Sequence, residues 1–220
     1  MKIIELFAFD LDGTLLDTAP DFFYAVNILR EKYKLDEADY SQVRSRVSQG
    51  AASLASYALN LDGDSQEKIE LHRHELLDIY ENCCLKNTEM FEGIEEVLSE
   101  LNNKQIKWGI VTNKPRRFAE GIVENKLGQF DVPFLICPDD VGTRKPEPEG
   151  LQKALKISNT TPEKSIYIGD HRIDITAGEK ANMNTGAAAY GYIPLEDNVD
   201  SWEADYIFNK AKEIIPLIEK

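Results

Sequence analysis

Cysteine is scarce in this chain: three in 220 residues, with Cys83 and Cys84 adjacent and Cys137 alone. No CxxC pair occurs, so neither a zinc site nor a disulfide scaffold is indicated, and the thiols are expected to pack as small apolar side chains. No apolar run approaches the ~18 residues of a membrane span. The opening run at 3–9 is too short for a signal peptide and is interrupted by Glu5, which makes the reducing cytoplasm the expected location. Positive charge is also in deficit, with 25 Lys+Arg against 39 Asp+Glu and a net charge of −14. A field of that sign repels phosphate backbones and anionic lipid, which argues against nucleic acid and membrane as partners. Neither GxxxxGK[ST] nor GxGxxG is present, so the common nucleotide-phosphate loops are excluded. With 42% apolar and 29% charged residues and no low-complexity tract, the chain is not disordered.

What the chain does contain is a series of short apolar runs. Residues 3–9 form one that stops abruptly at Asp10-Leu11-Asp12-Gly13-Thr14. Such runs read as strands buried on both faces, the habit of parallel sheets. The design recurs at 106–112, 134–137, 165–170 and 185–190, with a weaker instance at 206–208. Helical stripes lie between them: Ile94, Val97, Leu98 and Leu101; Phe118, Ile122 and Val123; Ala211, Ile214, Ile215 and Ile218. The alternation predicts an α/β fold with a doubly wound, Rossmann-like parallel sheet. Residues 18–86 break the alternation, with helical stripes and no strand run. Thr18-Ala19-Pro20-Asp21 reads as a capped helix start leading into Phe22, Ala25, Val26, Leu29 and Tyr33. Asp62-Gly63-Asp64 reads as a turn between later helices. The stretch is too long for a crossover. An all-helical domain, 18–86, is therefore expected inside a core formed by 1–17 and 87–220, hinged near 16–19 and 85–89.

In open α/β sheets the ligand sits beyond the carboxyl ends of the strands, so the residues just after each run matter most. The first run delivers Asp10 and Asp12, the second Thr112 and Asn113, and the run at 165 delivers Asp170, followed by Asp174; Arg144-Lys145-Pro146 lies in a nearby loop. Spacing of two puts Asp10 and Asp12 on one side of an extended segment. Spacing of four puts Asp170 and Asp174 on one helix face. Two like charges ~4 Å apart cost about 4 kcal/mol at an effective dielectric of ~20, so gathering them implies a cation. Oxygen ligands favour Mg²⁺ over zinc or copper, with Lys145 as a second counter-charge. Singly, each element has a plainer reading: Asp-Gly as a turn signal, Thr112-Asn113 as a helix cap, Lys145 as a solvated side chain. An EF-hand fails because Leu15 and Asp21 stand where Gly and Glu are needed. The conjunction is what carries information.

Asp10-Leu-Asp12-Gly-Thr14-Leu after an apolar strand, Val111-Thr112-Asn113, Lys145-Pro146-Glu147-Pro148 and Ile168-Gly169-Asp170-x-x-x-Asp174 together resemble the four motifs of the haloacid dehalogenase superfamily. The likeness runs over essentially the whole chain, and the helical insertion resembles the small cap of that superfamily. Phosphoglycolate phosphatases are the nearest resemblance, on Asp17-Thr18-Ala19-Pro20-Asp21, Val47-Ser48-Gln49-Gly50-Ala51 and Phe91-Glu92-Gly93-Ile94-Glu95. Ile136-Cys137-Pro138-Asp139, Tyr190-Gly191-Tyr192, Glu196-Asp197-Asn198 and Trp202 are also similar to N-acetylmuramic acid 6-phosphate phosphatases. The resemblance implies a phosphoric monoester hydrolase acting on a small phosphorylated metabolite, as a monomer or homodimer. Asp10 would be the nucleophile that forms an aspartyl-phosphate, and Asp12 the general acid and then base. Thr112, the Asn113 backbone and Lys145 would hold the phosphoryl group. Asp10, the carbonyl of Asp12 and Asp170 would hold Mg²⁺, with Asp174 in support. In the cap, Arg44, Arg46, Gln49 and Gly50 pair cations with a helix start and are expected to bind an anionic substrate tail. His171 and Arg172 read as helix-surface residues beside the site. A phosphomutase would carry a histidine early in the cap helix, absent from Asp21-Phe22-Phe23-Tyr24; a dehalogenase needs no Asp12; a silent scaffold would not keep all four motifs.

Overall fold

A computed structural model describes residues 3–219 of the chain; Met1, Lys2 and Lys220, the outermost residues of the expected core, lie outside the described residues. The strands, in chain order, are β1 (Leu6–Phe9), β2 (Leu16–Asp17), β3 (Glu89–Met90), β4 (Lys107–Val111), β5 (Leu135–Ile136), β6 (Ser165–Gly169), β7 (Asn184–Ala188) and β8 (Tyr206–Phe208). Six of them form one sheet in the order β5-β4-β1-β6-β7-β8, with every pairing parallel. β1 is central, and all four of its residues are buried. Alternate side chains divide between the two faces. Phe7 and Phe9 pack with Trp108, Ile110, Ile166 and Ile168 on one side. Leu6 and Ala8 pack with Val111 and Tyr167 on the other. Each fully buried Leu or Phe contributes about 1.5–3 kcal/mol, which explains why the strand runs are so apolar.

Among the described residues, nine α-helices accompany the strands: α1 (Ala19–Lys32), α2 (Tyr40–Arg44), α3 (Ala51–Leu59), α4 (Gln66–Glu81), α5 (Ile94–Asn103), α6 (Arg116–Leu127), α7 (Glu149–Ser158), α8 (Arg172–Lys180) and α9 (Ile215–Ile218). Stripes on α5 and α6 cover the Phe7 face, and those on α7 and α8 cover the Leu6 face, so the sheet is wound on both sides as the alternation predicts. The final stripe divides into a 3-10 turn, Ala211–Ile214, and α9, because Pro216 follows so closely. Among the described residues no helix is long and apolar enough to cross a membrane. Helices α1 to α4 fill the stretch between β2 and β3, with α3 and α4 joined by the turn expected at Asp62-Gly63-Asp64, where Gly63 takes a positive φ.

Two details at the root of the insertion escape the apolar pattern. β2 and β3 pair antiparallel through only two residues each, Leu16 with Met90 and Asp17 with Glu89, too short to register as strands. Thr18 does stand at the start of α1, yet its side chain makes no capping hydrogen bond. Asp21 serves the other linker instead. Fully buried, its Oδ1 accepts from the Asn87 backbone at 2.8 Å and the Asn87 amide at 3.0 Å, while Oδ2 accepts from the Thr88 backbone at 3.1 Å and its hydroxyl at 2.7 Å. The chain entering the insertion is thereby tied to the chain leaving it. Removing the carboxylate strands four donors, so Asp21→Ala is expected to cost about 3 kcal/mol. For a chain of this size that lowers the melting temperature by ~6–12 °C; a calorimetric shift below ~2 °C would show that the tie contributes nothing.

Candidate active site

Parallel pairing brings the ends of β1, β4 and β6 together, and the chemistry-bearing residues follow directly after them. Asp10, Asp170 and Asp174, all buried, each present an oxygen within 4.8 Å of the others. Lys145 Nζ lies 2.9 Å from Asp10 Oδ1 and 2.7 Å from Asp174 Oδ1, and donates to the Tyr167 hydroxyl at 2.8 Å. The Asn113 side chain grips the Lys145 backbone from both sides, accepting from its N–H at 2.9 Å and donating to its carbonyl at 3.1 Å. Asp174 Oδ2 accepts from the His171 backbone at 3.0 Å, which fixes the first turn of α8. Asp170 Oδ2 accepts from the Tyr192 backbone and from the Ser48 hydroxyl, each at 2.8 Å. Gly13 is required here. Its φ is +84°, and a Cβ at that position would overlap the Asp170 carboxylate.

Asp12 points elsewhere. Its Oδ1 accepts from Thr18 Oγ1 at 2.5 Å and from Lys114 Nζ at 2.9 Å, and its side chain stays outside the three-carboxylate cluster, compatible with the backbone carbonyl as its only route to a metal. Fully ionised, the four carboxylates and two buried lysines would carry a local charge of −2. Burial pushes the Asp10 carboxyl up to about 6 although Lys145 pulls it down, and Asp174 adds to the rise. Asp170 is pushed well above the usual range by burial and by Asp10 and Asp174. Burial works against the Lys145 charge, yet Asp10 and Asp174 hold its pKa above the ordinary lysine value. Three oxygen donors, a charge of −2 and carboxylates reluctant to ionise fit a divalent cation with hard-oxygen preference. The cysteines take no part. Burial pushes the Cys83 thiol up to about 11 and that of Cys137 to about 12.

A cavity of about 650 Å³ opens over these groups. Of the residues singled out from the sequence, Asp10, Asp12, Thr112, Asn113, Lys145, Gln49 and Gly50 line it. Arg44 and Arg46 do not. Arg44 donates to the Tyr190 carbonyl and stacks over Tyr192, 5.0 Å from the ring centre; Arg46 bonds Gln42 and stacks over Tyr57 at 4.7 Å. Arg44 is thus held where the insertion meets the core, and Arg46 within the insertion itself. Arg73 on α4 and Arg144 line the cavity instead, with Arg73 donating through two nitrogens to the carboxylate of Glu70, which lines it too. His171 also lines the cavity, whereas Arg172 is exposed and pairs with Asp197 at 2.6 Å. Lys114, only 7% exposed, is the main residue that sequence reasoning missed. Its signal was adjacency to Val111-Thr112-Asn113. Arg73 and Tyr80 left none beyond a helical stripe.

A family model described as haloacid dehalogenase-like hydrolase matches residues 7–188. The chain belongs to the haloacid dehalogenase-like hydrolases. It is 40% identical to the N-acetylmuramic acid 6-phosphate phosphatase of Pseudomonas aeruginosa over 100% of this chain and 98% of that protein. A phosphoglycolate phosphatase of Xanthomonas campestris pv. campestris is 33% identical over 97% of this chain and 96% of its own length. A solved haloacid dehalogenase-like family hydrolase from Streptococcus pneumoniae superposes with a TM-score of 0.80 at 21% identity, covering 97% of each chain, which shows the shared fold.

The raised Asp10 pKa has a consequence for stability. Because the folded value, about 6, exceeds the ordinary 3.8, the folded chain holds this proton more tightly than the unfolded one. That contribution is complete below the ordinary value and lost as pH rises through 6. Asp10→Asn, neutral throughout, is expected to melt above the wild type at pH 7 in chelator, with the gap closing toward pH 5 and narrowing when Mg²⁺ is added at pH 7. Melting curves at both pH values check this; a gap independent of pH would mean that Asp10 carries no charge penalty.

Proposed function

We propose that this hydrolase cleaves the phosphate monoester of a small sugar acid through an aspartyl-phosphate, with N-acetylmuramic acid 6-phosphate as its leading substrate. The observation carrying the reaction class is a buried Asp10 held by Lys145 within a three-carboxylate cluster. Asp10 forms a bond to phosphorus as the ester P–O bond breaks, and the departing alkoxide takes a proton from Asp12. The alcohol leaves with that proton, and a water then gives one of its own protons to Asp12 as its oxygen displaces Asp10 from phosphorus. Thr112 Oγ1 accepts from the Lys114 backbone at 3.1 Å, which leaves its hydrogen for a phosphoryl oxygen. Lys145 neutralises the same group. Asp10, Asp170 and the Asp12 carbonyl would hold Mg²⁺, which when bound supplies compensation for phosphoryl charge. Asp174, with both oxygens already engaged by Lys145 and the His171 backbone, supports rather than leads.

The substrate reading rests on the cavity. Its volume falls in the ~300–1,000 Å³ range of pockets that enclose drug-sized ligands, far more than a two-carbon acid fills. One wall is apolar (Phe22, Leu77, Phe118), and the cations that line the cavity for a substrate carboxylate are Arg144 and Arg73, the latter exchanging its Glu70 partner for the ligand, in place of Arg44 and Arg46. Phosphoglycolate, the ester named for other relatives, is the second reading, favoured by the same two guanidiniums. Residues 18–86 act as a cap over the core of 1–17 and 87–220 in this account, closing the cavity through Ser48, Gln49 and Gly50.

Phosphate release from N-acetylmuramic acid 6-phosphate, phosphoglycolate, a hexose 6-phosphate and 4-nitrophenyl phosphate, with Mg²⁺ and with chelator, tests the reading. The muramic ester is expected to show the highest kcat/KM, and chelation to abolish turnover. Release from none of the four would overturn it. Asp10→Asn should eliminate turnover on every ester, whereas Asp12→Asn should retain some on the aryl ester, whose leaving group needs little protonation. Arg73→Ala is expected to raise KM for the acidic esters roughly tenfold or more, the value of a charge-assisted contact, and to leave 4-nitrophenyl phosphate unchanged. Equal change on both would place Arg73 in fold maintenance.

A further inference from the structure

Lys114 belongs to the core by sequence, yet most of what holds it comes from the helical insertion. Its Nζ donates to Asp12 Oδ1 at 2.9 Å and to the Tyr80 hydroxyl at 3.0 Å. It also lies 4.9 Å from the centre of the Phe22 ring and 4.8 Å from that of Tyr80, rings that stack on one another at 3.9 Å. Phe22 is on α1 and Tyr80 on α4, so the insertion supplies two aromatic faces and one hydroxyl, and the core supplies one carboxylate. Asp12 Oδ1 therefore receives two donors, Lys114 and Thr18, while Oδ2 has no partner among the described residues. A carboxyl group free to rotate presents its oxygens interchangeably; one pinned at Oδ1 always presents the other.

We propose that Lys114 is a positioning residue for Asp12, holding Oδ1 so that Oδ2 carries the transferred proton, and that Tyr80 makes this hold depend on the docked insertion. The inference rests on the reading of Asp12 as the proton donor to the leaving alkoxide. The Oδ2–H bond breaks, the proton goes to the ester oxygen that keeps the P–O electron pair, and Oδ1 stays with Lys114. When the insertion lifts away, Lys114 loses its hydroxyl partner and both ring faces, and Asp12 loses its fixed orientation. Hydrolysis of alkyl esters, which need a proton at the leaving oxygen, is thus tied to a closed cavity, and hydrolysis of esters with good leaving groups is not.

Lys114→Met keeps length and apolar bulk while removing the donor, and kcat on a sugar phosphate and on 4-nitrophenyl phosphate reads its effect. The proposal expects a loss of 30-fold or more on the sugar phosphate, at most about threefold on the aryl ester, and no additional loss when Lys114→Met is combined with Asp12→Asn. Tyr80→Phe, which removes one oxygen and keeps the stacked ring, should show the same selectivity at a smaller amplitude; it carries the test if Lys114→Met fails to fold. Equal losses on the two esters, or a full extra loss on top of Asp12→Asn, would overturn the proposal and assign Lys114 to the phosphoryl group itself. Wild-type protein inactive on every ester would instead overturn the phosphatase reading beneath it.

Discussion

The architecture is organised around an electrostatic debt: four aspartates gathered beyond the ends of two adjacent parallel strands, β1 and β6, with two buried lysines to offset them. The surroundings are arranged to hold that concentration of like charge. Asn113 spends its whole side chain on the Lys145 backbone. Tyr167 receives the Lys145 ammonium and donates to the Val111 carbonyl. Gly13 omits a side chain so that Asp170 can approach. Each device holds the like-charged cluster together, at the cost of intrinsic stability in the cluster itself.

The two lysines divide the site. Lys145 faces Asp10 and the carboxylate cluster, and its partners come from the sheet, its loops and the first turn of α8. Lys114 faces Asp12, and its partners come mostly from α1 and α4. The surroundings of Lys145 thus come from the core alone, whereas those of Lys114 are complete only with the insertion in place. The overall charge of −14 fits this division, since attraction for an anionic substrate has to be produced locally by Lys145, Lys114, Arg73 and Arg144.

The sheet was legible in the sequence because strands buried on both faces must be apolar throughout, and the insertion because its stripes follow a period near 3.6. The carboxylates were legible because the end of a buried strand is a defined place in an α/β fold. Directions of long side chains were not. Arg44 and Arg46 precede the Ser48-Gln49-Gly50 turn in sequence, yet stack on Tyr192 of the core and Tyr57 of the insertion. Arg73, which occupies the cavity, sits in a helix whose charges all look solvated. Thr18 and Asp21 resembled a cap because their spacing fits one; tertiary donors and acceptors, invisible to a local pattern, claimed both side chains. The β2–β3 ribbon is two residues long, below the length at which alternation has meaning.

That ribbon and the Asp21 tie change what kind of joint the insertion has. Two independent linkers would let a helical unit twist, slide and tilt. Cross-linked by backbone pairing at Leu16–Met90 and by four hydrogen bonds into one carboxylate, they act as a single strap with one bending axis. A door on one pin returns to the same frame each time it shuts. Under the proposed reading, in which Asp12 is aligned through Lys114 by a tyrosine hydroxyl carried on the door, repeatability of that kind matters more than range of travel.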